Sequence, residues 1–396
     1  MMPSPKTSQP KVLFYVQHLL GIGHVFRATR VAHALVKAGF KVKMIWGGTR
    51  LPSIDLGGLD MVWLEPVKAG DSYITDLVRA DGKPADEALL SSRTDKILNL
   101  LEANRPDIII TETYPFGRRQ MRFELEPLMR AARAAAWKPM TVSSIRDIMT
   151  ENRKPVRVRE TLDAVRDWFD LVLVHGDADL ITLPETLPGA KSIEDKVRYT
   201  GLVTPEPVDL QVPPSISCDV VVSAGGGAVG HSLTDAAIGA CNHCDAYPEN
   251  WLLVVGSERA ESEYQSLKER AGEIMQVVKF VPDLTRVLAS AKVSVSRAGY
   301  NTVGDLIRAR CRAVLAPFEG GRETEQLRRA RLLSDRGLCE LLRENELSPQ
   351  SLGNAVDKAA LLPKMQPDFE INGAENSVKI IEQAYLAHRN RLQNLV

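Results

Sequence analysis

The sequence predicts an α/β protein made of two doubly wound parallel-sheet domains in one chain. Three observations predict it. Short apolar runs alternate with amphipathic helical stretches through both halves. A proline-rich segment divides them, and each half contains strands that run through glycine-bearing turns into helices. With 396 residues, the chain is long enough for a core in each half.

The first half is expected at 10–204. Residues 12–16 read as a strand, and a helix over 24–38 sets Ala28, Val31, Leu35 and Ala38 on one face. Gly39 stands where a helix stops. Strands follow at 42–46, 61–64, 107–111, 141–145 and 171–174, with helices over 85–102 and 121–135. Residues 204–214 carry four prolines, which continue neither helix nor strand and mark the linker. The second half, expected at 215–375, places strands at 219–223, 251–256, 277–281, 292–296 and 313–316, each before a helical pattern. A last helix spans 376–392. Ligands are expected in a cleft between the domains, at the carboxyl ends of the strands.

Composition excludes several classes. Lys+Arg and Asp+Glu both total 50, so the basic excess of a nucleic-acid binder is missing. No apolar run approaches the roughly 18 residues needed to span a bilayer, and no secretory h-region is read, so a cytoplasmic protein is expected. Cysteines 218, 241, 244, 311 and 339 fit reduced thiols. Cys241-Asn242-His243-Cys244 lacks a second pair for zinc and reads as a surface or helix-end feature. No Gly-x-Gly-x-x-Gly fingerprint supports a nicotinamide cofactor. Arg118, Arg119 and Arg122 beside Phe116 and Met121 read as a solvated helix start in preference to a lipid-binding edge.

The chemistry concentrates in a few turns. Gly21-Ile22-Gly23-His24 joins strand to helix, with Arg27 one turn on. The positive end of the helix disfavours imidazolium, so His24 is expected neutral and able to act as a base. Gly225, Gly226 and Gly227 follow a strand and suit an anion cradle. In Arg297-Ala298-Gly299-Tyr300-Asn301-Thr302-Val303-Gly304-Asp305, Arg297 is expected to meet phosphate and Gly299 to allow the turn. Asn301 and Thr302 would serve the helix start, and Asp305 would accept ribose hydroxyls. Glu325 and Gln326 suit the hydroxyls of a sugar, while Arg328, Arg329 and Arg331 behind them read as solvated. Glu112, Thr113, Arg146 and Asp147 lie at strand ends of the first half, where an acceptor would meet them. His175-Gly176-Asp177 is similarly placed; His18, His33 and His388 read as structural or surface residues.

These motifs resemble the GT-B glycosyltransferases, and within them glycosyltransferase family 28. The resemblance implies two Rossmann-like domains, with the last helix returning to the first domain. It implies that His24 serves near acceptor and phosphate, beside Gly21, Gly23 and Arg27, and that Gly225 to Gly227 lie by the diphosphate. Phe280, Val281 and Asp283 would bind uracil through backbone, Thr302 phosphate, Asp305 ribose, and Glu325-Gln326 the donor sugar. The implied reaction is inverting transfer from a UDP-sugar to a hydroxyl acceptor, with lipid-linked hydroxyls at the inner membrane face among the acceptors the resemblance implies. No cofactor and no metal are expected, since no Asp-x-Asp motif is read as holding the diphosphate. Arg27 stands where the family has proline, Asp305 is shorter than glutamate, and Glu325 replaces glutamine. The Gly-x-Gly-His-x-x-Arg form also resembles a nucleotide-sugar hydrolase of pseudaminic acid synthesis. A non-catalytic nucleotide-sugar-binding protein is the third expectation.

Overall fold

The computed structural model describes residues 9–19, 21–51, 54–70, 76–150, 154–209, 211–225, 231–256, 259–321 and 323–394. The chain divides into two compact units, one running to Val203 and resuming at Glu370, the other spanning Thr204–Phe369.

Unit 1 begins β1 (Lys11–Val16), α1 (Gly23–Lys37), β2 (Lys41–Trp46), β3 (Asp60–Trp63), β4 (Val67–Ala69) and β5 (Leu77–Arg79). It continues α2 (Glu87–Asn104), β6 (Ile108–Glu112), α3 (Arg122–Ala134), β7 (Met140–Arg146) and α4 (Pro155–Trp168). Then come β8 (Leu171–His175), α5 (Leu183–Thr186) and β9 (Val197–Tyr199). Unit 2 begins β10 (Val220–Ser223), α6 (His231–Ala237), β11 (Trp251–Val254), α7 (Glu261–Ala271), β12 (Met275–Val278) and α8 (Leu284–Ser290). It ends β13 (Val293–Ser296), α9 (Tyr300–Ala309), β14 (Arg312–Leu315), α10 (Glu325–Ser334), β15 (Glu340–Leu341) and α11 (Pro349–Leu361). The last helix, α12 (Gly373–Gln393), belongs to unit 1.

Both main sheets are parallel. Unit 1 has the order β3-β2-β1-β6-β7-β8-β9 and unit 2 the order β12-β11-β10-β13-β14-β15. Buried Val, Ile and Leu line the strands because helices cover both faces of each sheet. On one face of the unit 1 sheet, Val25, Ala28, Val31 and Leu35 of α1 share a core with Val378 and Ile381 of α12. Leu101, Leu125, Leu128 and Val165, from α2, α3 and α4, cover the other face. Leu35 is fully buried, so its truncation to alanine would cost about 2–5 kcal/mol.

Strand order reverses beside β1 in unit 1 and beside β10 in unit 2, and a crevice for ligand opens where order reverses in such sheets. The loops after β1 and β6 flank the first crevice, and those after β10 and β13 the second. These are the loops that carry the candidate residues. Two differences from the pattern stand out. The strand expected over 277–281 is β12 and ends at Val278, and the antiparallel pair β4–β5 gives no apolar run to read.

Candidate active site

In unit 1, Gly21 has φ +68°, a left-handed value that glycine takes at least cost. It turns the chain from β1 into α1, which starts at Gly23 and places the half-buried His24 in its first turn. His24 Nε2 lies 3.0 Å from the Gln17 carbonyl oxygen, which can only accept. The ring proton is therefore on Nε2 and the lone pair on Nδ1. Gln17 is itself fixed, since its Oε1 accepts from buried Arg93 at 2.9 Å and its Nε2 donates to the His18 and Val67 carbonyls. Arg93 also grips Glu124 through Nε at 2.9 Å and Nη2 at 2.8 Å. Desolvation, then the cations Arg118 and Arg27, holds His24 well below the ordinary histidine range, against the raising effect of the Gln17 carbonyl.

Arg118 places its Nη2 2.8 Å from His24 Nε2 and 3.1 Å from Nδ1. It arrives on the loop after β6, in which Thr113 and Arg118 have φ values of +69° and +57°. A positive φ at a β-branched residue such as Thr113 is costly, of the kind that collects at functional sites. In sequence, Arg118 reads as part of a solvated helix start, with Phe116 and Met121 beside it. The structure corrects this: Arg118 lies against His24 and both apolar residues are in the core, so no apolar edge for lipid forms there. Arg119 and Arg122 instead pair with Glu160.

Arg27 and Glu112 form a buried ion pair. Glu112 also accepts from Thr113 Oγ1 at 3.0 Å and from Ser144 Oγ at 2.7 Å. Since Ser144 spends its proton on Glu112, it accepts from His175 Nε2 at 2.9 Å, and His175 Nδ1 faces Thr200 Oγ1 at 2.9 Å. Desolvation and Arg27 keep His175 well below the ordinary range. Glu112 is thus interior, held by Arg27, Thr113 and Ser144, and Arg27 is the part of this network nearest the helix start. Arg146 donates to the Ile148 carbonyl and Thr150 hydroxyl at 3.1 and 3.3 Å. Asp147 is fully buried beneath Gly176, where a Cβ would come within 2.6 Å of the Asp147 Cβ. Asp147 is packed, not presented to a ligand.

In unit 2, Gly225 has φ +82° and open space around it. Gly226 and Gly227 lie outside the described residues. Gly299 caps α9 with φ −65° and ψ 151°, a conformation open to any residue, so the turn does not require glycine. A Cβ there would meet only Thr302 Oγ1 at 3.7 Å, so what glycine leaves is room before the helix. Asn301, Thr302 and Asp305 follow along the first turns of α9, all half-buried. Phe280 is 58% exposed just past β12, while Val281 beside it is buried. Asp283 ties down the linker, accepting from the Ser215 amide at 2.9 Å and from its hydroxyl.

Three expectations change here. Arg297 is 4% exposed, donating to the Ala316 and Pro317 carbonyls at 3.1 and 3.3 Å and to Ser232 and Glu344 at 2.9 Å. It braces the loops around β13 rather than offering its charge to phosphate. Glu344, which holds both Arg297 and Ser232, gave no signal in the sequence. Glu325 is 3% exposed and paired at 2.6 Å with Arg329, which is fully buried and also donates to the Ala298 carbonyl. Arg329 is therefore not a solvated residue, and Glu325 serves the protein interior. Gln326 remains half-buried, its Oε1 accepting from the Phe318 amide at 3.2 Å.

Asp177-Ala178-Asp179 is an Asp-x-Asp triplet two residues past β8 that the sequence reading passed over. Asp177 spends its oxygens on the amides of Asp179 at 2.8 Å and Glu370 at 2.6 Å, as a turn cap. Among the described residues no three His, Cys, Asp or Glu side chains gather as a metal site. Cys241 and Cys244 are buried, not at the surface, and Cys244 donates to Asp357 at 3.2 Å. Burial pushes the Cys244 thiol up to about 11. Among the described residues no helix is long and apolar enough to cross a membrane.

Residues 222–384 match the glycosyltransferase family 28 C-terminal domain. A UDP-N-acetylglucosamine--N-acetylmuramyl-(pentapeptide) pyrophosphoryl-undecaprenol N-acetylglucosamine transferase of Carboxydothermus hydrogenoformans is 29% identical over 127 residues. That match covers 32% of this chain and 32% of the relative, so the chain spans about a third of that protein's length. Among solved structures, MurG of Acinetobacter baumannii superposes with a TM-score of 0.61 at 17% identity, covering 94% of this chain and 100% of that one. The calicheamicin glycosyltransferase CalG4 gives a TM-score of 0.57 at 17% identity, covering 96% and 95%.

Proposed function

We propose that this chain, a GT-B-fold protein whose residues 222–384 match the glycosyltransferase family 28 C-terminal domain, transfers a sugar from a nucleotide-sugar to a hydroxyl acceptor with inversion. The carrying observation is His24: a neutral imidazole in the first turn of a helix, with its proton assigned to Nε2 by the Gln17 carbonyl. A ring so held keeps its lone pair on Nδ1, the nitrogen assigned to take the proton. In the reaction, Nδ1 takes the acceptor hydroxyl proton and the oxygen attacks the anomeric carbon. The bond from that carbon to the β-phosphate oxygen breaks on the opposite face, and the nucleoside diphosphate leaves with the bonding pair.

The donor is assigned to unit 2 and is read as a UDP-sugar. Exposed Phe280 offers a face to the base, Asp305 suits the ribose, and Gly225 with the α9 start at Gly299 and Thr302 is assigned to the diphosphate. This reading gives the departing charge to amides and the helix end, without a metal ion. The acceptor belongs to unit 1, near Gly21, Gly23 and His24. The relative from Carboxydothermus is named for a pyrophosphoryl-undecaprenol acceptor, and a lipid-linked hydroxyl, met at the inner membrane face, is the acceptor class proposed here.

The test is a panel of UDP- and other nucleotide-sugars mixed with the protein without acceptor, read by mass spectrometry. Tight binding of one donor with only trace release supports a transferase and names its sugar. Rapid release of free sugar makes the protein a hydrolase that activates water, the reading that Arg27 in the Gly-x-Gly-His-x-x-Arg turn favours. Binding of none overturns the donor assignment.

A further inference from the structure

We propose that Arg118 is a latch on the reactive nitrogen of His24, released when an oxyanion of phosphate type carried by the acceptor draws the guanidinium away. This rests on the assignment of His24 as the base. Arg118 Nη2 lies across the ring edge between the two nitrogens, 2.8 Å from Nε2 and 3.1 Å from Nδ1; the Gln17 carbonyl accepts the Nε2 proton, so Nδ1 is the nitrogen whose lone pair the guanidinium meets. A base whose lone pair is covered by a cation cannot take a proton from a hydroxyl. Turnover therefore needs Arg118 to move.

Three observations say what moves it. First, Arg118 lacks a carboxylate partner among the described residues, and its Nε is buried without a hydrogen-bond partner. Glu112, the carboxylate whose charge bears on Arg118 most, is already held by Arg27, Thr113 and Ser144. An enclosed guanidinium without a counterion favours any anion that reaches it. Second, burial pulls Arg118 down to about 10, with Arg146 and Arg27 adding to the effect against Glu112. Two further arginines thus raise the positive potential around it. Third, the loop 113–118 holds two left-handed residues that are not glycine, so Arg118 is set in place at a conformational cost. The other charged and titratable groups bearing on His24 are Arg27 along α1 and His18 after β1.

The latch makes base activation conditional on the acceptor. A neutral sugar or water entering alone leaves Arg118 on Nδ1, while an acceptor bearing phosphate frees it. The specificity for transfer over hydrolysis would then lie in one side chain outside the glycine turn.

The experiment follows the ring nitrogens of His24 by NMR in the full chain, with inorganic pyrophosphate as the probe and no nucleotide present. In the wild type, pyrophosphate should shift the His24 signals saturably and raise its pKa. Arg118→Met should raise the pKa of His24 towards the ordinary histidine range by itself and weaken the pyrophosphate response about tenfold or more. Arg118→Lys keeps the charge and should retain a response, which separates loss of the cation from loss of fold. An unmoved His24 pKa in Arg118→Met, or an equal pyrophosphate response in that variant, overturns the latch. No turnover enters these readings, so they stand or fall separately from the transferase assignment.

Discussion

The backbone carbonyl of Gln17 and the Nε2 of His24 lie 3.0 Å apart, a contact that favours the proton on Nε2, while Arg118 Nη2 lies against the edge of the ring that joins its two nitrogens. Arg93 supports it from behind through the Gln17 side chain at 2.9 Å. Arg93→Met should therefore change the His24 tautomer mixture as well as stability. Breaking its buried pair with Glu124 should cost about 3–5 kcal/mol. Urea unfolding reads the stability, and ring-nitrogen NMR of the folded fraction reads the tautomer.

Stability should fall as pH drops through the histidine range. His18, His24 and His175 all sit below the ordinary value of 6.5 in the folded chain, chiefly through desolvation. The unfolded chain therefore takes up protons first. The stability these groups contribute is whole above about 6.5 and is lost as pH falls through that value towards the folded-state values. The melting temperature should be lower near pH 5.5 than near pH 7.5, and His175→Gln should shrink the difference. A flat profile in the wild type would contradict burial of neutral histidines.

Glu112 is expected to matter for folding before chemistry. Glu112→Ala leaves Arg27 buried without its partner and removes the acceptor of Ser144 and Thr113, for a loss of about 3–5 kcal/mol. Urea unfolding tests it, and a loss below about 1 kcal/mol would mean the pair is solvated.

Phe280 gives the opposite signature. At 58% exposure it holds little of the core, so Phe280→Ala should leave stability within about 0.5 kcal/mol. Loss of an aromatic face for the base should weaken UDP binding about threefold to tenfold. Calorimetric titration with UDP measures this, and unchanged affinity would remove Phe280 from the donor site.

The fold was legible because parallel strands covered on both faces must be apolar throughout, as in residues 108–110 or 220–222. Gly21 was legible because its φ of +68° favours glycine. Arg118 was not, since it reaches His24 across 94 residues of sequence through a loop shaped by two left-handed residues. Charge also misled. Arg297 reads as a phosphate contact and Arg329 as a solvated cation in sequence, and only the fold shows each buried against a glutamate, Glu344 and Glu325. The short strands β9 and β15, three and two residues long, carry too few apolar positions for a periodic signal.

The measurement closest to the central claim is the turnover of His24→Ala with the donor found by the nucleotide-sugar panel and its acceptor, alongside donor affinity. Loss of a general base should lower kcat about 10²- to 10⁴-fold, with donor Kd changed less than about twofold. A kcat within about twofold of the wild type would contradict the assignment of His24 as the base.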